Sequence, residues 1–132
     1  MADWRFRCYV VEDNVLVLDK WRREHAGDEK LLAKLDARLR FLQQQPRDKW
    51  VRPHFDTLSG DCAGLGELRF EYRNVQHRVI GFASAEMEWT WLMVAIERGG
   101  KFVPLDTCAI AQRRKKAAIA DRSVVTRDYE CD

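Results

Sequence analysis

Two arginines set into neighbouring apolar strands hold the most chemistry in this chain. Within residues 65–82, Leu68, Phe70 and Tyr72 alternate with Glu67, Arg69, Glu71 and Arg73, so one face is apolar and the other charged. After a short polar turn, Arg78 stands between His77 and Val79 in a run suited to burial. A guanidinium stays charged at any relevant pH, and its planar fork grips phosphate or carboxylate oxygens in pairs. Burying one alone is expensive, so Arg69 and Arg78 need either carboxylate partners, such as Glu67 or Glu71, or an anionic ligand. Both readings remain open at this level.

Other residues widen the choice. Arg113, Arg114, Lys115 and Lys116 form a basic run that either grips RNA phosphates or is the exposed half of a terminal helix. Lys30, Lys34 and Arg38 recur every fourth residue and read as a solvated helix face that can also contact RNA or a partner. Trp89 and Trp91 share one strand face, which suits a hydrophobic core better than base stacking. His77 titrates in a useful range, yet strict alternation turns it away from the face of Arg78. The four cysteines, Cys8, Cys62, Cys108 and Cys131, are scattered, with no Cys-x-x-Cys pair and no histidine at ligand spacing. Neither a disulfide nor a metal site is expected. Cys8 and Cys108 read as small core residues and Cys131 as a thiol in a frayed tail. No phosphate loop, paired-carboxylate site or Ser/His/Asp arrangement is evident, and no cofactor is implied. The net charge of +2 leaves any nucleic-acid reading to local clusters.

These residues need elements to position them. Residues 4–11 alternate as a first strand, and Glu12, Asp13 and Asn14 offer helix caps. Leu18, Trp21 and His25 mark a helix that Gly27 ends, and Asp28 caps the next. Residues 29–45 follow, with Leu31, Leu32, Leu35, Leu39 and Leu42 as the apolar stripe. The two helices read as a hairpin. A short strand is predicted near residues 54–58, then the strand pair, then residues 88–96, which Gly99 and Gly100 break. A final helix spans residues 107–119, with Pro104 before it and Asp106 or Thr107 as cap. The prediction is an α+β domain over residues 1–120, with a mainly antiparallel sheet and helices segregated on it; residues 121–132 read as an irregular tail. No apolar run is long enough to span a membrane and no signal-peptide core is visible, so a cytoplasmic protein is expected.

One ordered set of short strings resembles a known family. Leu58-Ser59-Gly60, then residues 64–70 ending in Glu67-Leu68-Arg69-Phe70, then His77-Arg78-Val79-Ile80-Gly81-Phe82 resemble the RelE/HigB toxin superfamily, in its phage-derived Gp49-like branch. Residues 94–104 match that family's apolar strand and basic turn ending in proline, and the resemblance spans residues 4–120. It implies a RelE-like fold and, for active members, a ribosome-dependent mRNA endonuclease without a metal. The implied partners are the ribosome, mRNA and a cognate antitoxin, often a helix-turn-helix protein. Carried over position by position, it implies Arg78 at the scissile phosphate, Arg69 on the preceding strand, and Arg98 and Lys101 in the basic turn. Gly66, His77 and Gly99 depart from the family's usual aromatic, aromatic and lysine, and a tyrosine near the end of the final helix has no counterpart. The alternative is a catalytically silent module of the same fold that binds a protein or RNA.

Overall fold

The computed structural model describes residues 3–131. Seven strands form one sheet: β1 (Arg5–Tyr9), β2 (Phe55–Thr57), β3 (Gly66–Tyr72), β4 (Val75–Ala85), β5 (Glu88–Arg98), β6 (Lys101–Val103) and β7 (Thr126–Tyr129). Across the sheet the order is β2-β3-β4-β5-β1-β7, with β6 paired to β5. Only β1 and β5 run parallel. The helices are α1 (Val17–Glu24), α2 (Glu29–Gln43), α3 (Thr107–Ala120) and α4 (Arg122–Val125). The α+β class and the mainly antiparallel sheet agree with the sequence reading. No helix among the described residues is long and apolar enough to cross a membrane.

Periodicity explains which faces are buried. In α2, Leu31, Leu35, Leu39 and Leu42 point inward, and each fully buried leucine contributes about 1.5–3 kcal/mol. The Asp28 carboxylate accepts from the Leu31 N–H at 3.3 Å, as an N-cap should. Trp21 and Leu18 of α1 and the α2 leucines share a core with Leu68, Phe70, Val79 and Trp91. α3 covers the opposite face with Ala111 and Ala118, against Leu65, Ile80, Phe82, Leu92 and Met93. The helices are therefore divided between two faces rather than segregated on one. Trp89 and Trp91 both lie in the first core, 5.8 Å apart between ring centroids.

Two sequence expectations are corrected, the caps before α1 and the tail after α3, and the break at Gly99 and Gly100 is found where expected, as a turn. Glu12, Asp13 and Asn14 do not cap α1; Asp13 and Asn14 adopt positive φ in a turn, and Leu16 is the N-cap. Gly99 and Gly100, at φ of 60° and 76°, reverse the chain into β6, since two residues of this conformation join antiparallel strands without splaying them. Residues 122–129 are not an irregular tail. Residues 122–125 form α4, and β7 pairs antiparallel with β1, burying Thr126 and Tyr129. Arg7 fixes this pairing by donating to the Thr126 hydroxyl at 2.9 Å and to Asp128 at 2.7 Å.

The expectation of unpaired cysteines also fails. Cys62 and Cys108 form a disulfide that ties the loop before β3 to the first turn of α3, while Cys8 and Cys131 are free. Forty-six residues separate the two halves, so sequence spacing carries no sign of their proximity. Burial pushes the Cys131 thiol up to about 11, so it is not the exposed thiol anticipated.

Candidate functional site

The open edge of β3 is where the sequence's arginines meet further cations. β2 pairs only with Gly66, Glu67 and Leu68, and the Arg69 N–H is taken by the His54 carbonyl at 2.9 Å. Beyond that point α2 supplies the edge with partners. Arg38 donates to the Arg69 carbonyl, and Lys34 donates to the Glu71 carbonyl at 3.1 Å. Two members of the row read as a solvated face thus close backbone groups that would otherwise invite another strand. Burial pulls the Arg38 pKa below its ordinary value, and burial with Arg38 nearby does the same to His54.

A cleft of about 540 Å³ forms here, lined by Lys34, Arg38, Arg52, Arg69 and Arg78, with Phe70, Glu71 and Gln76 between them. Arg69 and Arg78 are directly opposed across β3 and β4. Beneath them lies Glu67, only 3% exposed. Arg69 donates to one Glu67 oxygen at 2.6 Å, and Arg78 Nε is 3.8 Å from the other and 3.1 Å from Glu97. The ion-pair reading of the two arginines therefore holds in this structure, with Glu67 as the shared partner. Burial raises the Glu67 carboxyl above its ordinary value, against the pull of Arg69 and Arg78. Arg78 is itself 2% exposed, so Arg69 and the outer cations meet an incoming anion first.

The other sequence candidates lie elsewhere. Arg98 and Lys101 flank the Gly99–Gly100 turn, exposed, and do not line the cleft. Glu97, rather than Arg98, shares the face of Arg78. In the basic run, Arg114 donates to the Leu92 carbonyl at 2.8 Å and lies 5.1 Å from the Tyr9 ring, while Lys115 donates to the Gly64 carbonyl at 3.3 Å. Arg113 and Lys116 remain exposed. The run is thus split between holding α3 in place and facing solvent. His77 packs against the core, stacked on Phe70 with centroids 4.9 Å apart, and burial lowers its pKa.

Two departures from the family pattern have local reasons. A Cβ on Gly66 would come within 2.3 Å of the Phe55 ring, whose edge fills the space an aromatic there would need. His77 stacks on Phe70 and meets Trp21 edge-on rather than facing solvent. Lys34, Arg38 and Arg52 are the site residues that sequence reading did not assign. For the first two, the four-residue spacing was a visible signal; for Arg52, in a loop beside Pro53, there was none. Compared with family models, curated proteins and solved structures, the chain matches none.

Proposed function

We propose that this chain is an RNA-binding module of RelE-like build that holds single-stranded RNA by its phosphates in the β3–β4 cleft. The observation that carries the reading is the convergence of Lys34, Arg38, Arg52, Arg69 and Arg78, from a helix, a loop and two strands, on one cleft. Cations at that density attract a polyanion and release its counterions. Of the two expectations raised by the resemblance, the silent binding module fits this geometry more closely. Arg78 is buried under ion pairs, Arg98 and Lys101 stand at a hairpin tip, and His77 faces the core.

The mRNA-cleaving toxin is the second reading, favoured by Glu71. This carboxylate lines the cleft on the face of Arg69 and Arg78 and accepts from Gln76 at 3.0 Å. It is placed to take the proton of a 2′-hydroxyl while the arginines stabilise charge on the phosphate. That reading adds the ribosome and a helix-turn-helix antitoxin as partners. Both readings place the protein in the cytosol beside mRNA.

Fluorescence polarisation with a labelled oligouridylate tests the proposal. Binding should weaken steeply with salt, and Arg52→Gln and Lys34→Gln should each flatten the log K against log salt slope by about 0.7, one phosphate contact on a single strand. Slopes unchanged in both variants would remove the cleft from RNA binding. Primer extension on cellular mRNA after induced expression separates the two readings: an absence of new 5′ ends supports the binder, and new 5′ ends that vanish in Glu71→Gln would establish the endonuclease reading instead.

A further inference from the structure

The second edge of β5 contains a gap the width of one strand. β4 runs along the first edge from Glu88 to Glu97. On the second edge, β1 pairs with residues 88–91 and β6 with residues 96–98, leaving residues 92–95 without a strand partner. Both neighbours leave the sheet there. Past β1 the chain folds back on itself, the Val11 N–H donating to the Val15 carbonyl at 2.9 Å, and β6 ends before Pro104, which has no N–H to donate. The gap opens into a cleft of about 580 Å³, separate from the basic cleft on β3.

Register fixes what β5 presents to this cleft. Arg98 and Lys101 close a two-residue hairpin, so they form the hydrogen-bonded pair beside the turn. Backbone groups then alternate in direction along the strand. Those of Arg98 and Ile96 point toward β6, those of Glu97 and Ala95 toward β4, and those of Val94 toward the gap. Val94 thus offers one N–H and one C=O to the cleft. The next carbonyl on this edge, that of Leu92, is already taken by Arg114.

The walls and rim narrow the occupant. Trp21 and Val17 supply an apolar side, and Pro104 and Met93 the other. At the rim, Lys20 is held by Glu24 at 3.0 Å and Glu12 is exposed, but Arg114 and Arg113, the latter exposed and without a salt-bridge partner among the described residues, leave the rim one positive charge in excess. The gap spans four residues, about 13 Å of strand. A chain threading through it would meet both β1 and β6 in the sheet plane, but a chain that ends inside it passes only one. A chain end of the C-terminal kind carries a carboxylate, the complement of Arg113.

We propose that this gap is a strand-addition site for the extended C-terminal segment of a partner protein. The segment's backbone pairs with the N–H and C=O of Val94, an apolar side chain rests against Trp21 and Val17, and the terminal carboxylate meets Arg113. Main-chain bonds supply affinity in such sites and the side-chain contacts supply selectivity.

Amide NMR on the full chain tests this with the peptide Ac-Thr-Val-Thr-Val bearing a free carboxylate. In the free protein the Val94 amide should exchange much faster than that of Ala95. Peptide should shift Val94 saturably with Kd near or below about 1 mM, and should slow its exchange. Amidating the peptide's C-terminus, or Arg113→Gln with the peptide unaltered, should weaken binding by about tenfold. A Val94 amide already protected in the free protein would overturn the proposal, as would an absence of saturable shifts. Equal binding of a peptide N-methylated at its backbone amides would also overturn it, because strand pairing would then play no part.

Discussion

Glu67 decides how much of the charge on Arg69 and Arg78 an outside anion can use. It takes a close bond from Arg69 with one oxygen, and its other oxygen, buried and without a hydrogen bond, lies 3.8 Å from Arg78. An arriving phosphate must compete with this internal carboxylate. Glu67→Gln should therefore raise RNA affinity by about three- to tenfold, the ~1 kcal/mol scale of a partly exposed ion pair. Burial has moved the Glu67 carboxyl above its ordinary value of 4.5, so protonation releases the arginines as pH falls through the window above that value. RNA affinity of the natural chain should climb as the pH is lowered from neutral toward the ordinary carboxylate range, and the Gln variant should show a smaller climb. An equal climb in both would assign the pH response to other groups. At this scale the arginines were legible because alternation set them in strands. Glu67 was named as a partner, but Glu97 was not, since it reaches Arg78 from the neighbouring strand and sequence distance carries no sign of that.

Elements differ in how far their residues announce them. The α2 leucine stripe and the Asp28 cap could be read directly, because period and cap chemistry agree there. β7 could not. Thr126, Arg127, Asp128 and Tyr129 make a short, mostly polar stretch whose only strand argument is the neighbour it finds in β1. That strand is nevertheless well secured. The Tyr129 ring is buried, and its hydroxyl accepts from Arg22 at 2.7 Å, which also pairs with Asp36 of α2. Tyr129→Ala should cost about 3 kcal/mol, within the range for deleting a buried aromatic, read as a lowered urea midpoint. Tyr129→Phe should cost about 1 kcal/mol, the share of the hydroxyl contacts. A change near zero for the alanine variant would mean that β7 adds nothing to the sheet.

For the whole molecule, the side chains of α3 give it only a light hold on the sheet. Its buried positions are Thr107, Ala111 and Ala118, which remove little apolar area from water. Tethers to the loop before β3 make up for this: the Cys62–Cys108 bond, Gln112 donating to the carbonyls of Asp61 and Ala63, and Lys115 donating to that of Gly64. Cys108→Ser, or reduction of the natural chain, should lower unfolding free energy by about 2–4 kcal/mol and raise amide exchange in α3 before the central strands. Equal stability of the reduced and oxidised chains would show that the packing of α3 suffices without the bond. The last consequence concerns β1, which lies between β5 and β7 and is tied to Thr126 from Arg7, 119 residues away. At about 5–20 residues per second, a ribosome takes on the order of 6–24 seconds to bring out the strand that completes this neighbourhood. Until β5 emerges, Phe6 and Cys8 belong to an apolar segment with neither of its sheet neighbours beside it, and until β7 follows one edge stays open. A chaperone that shields nascent chains would find its first binding segment there.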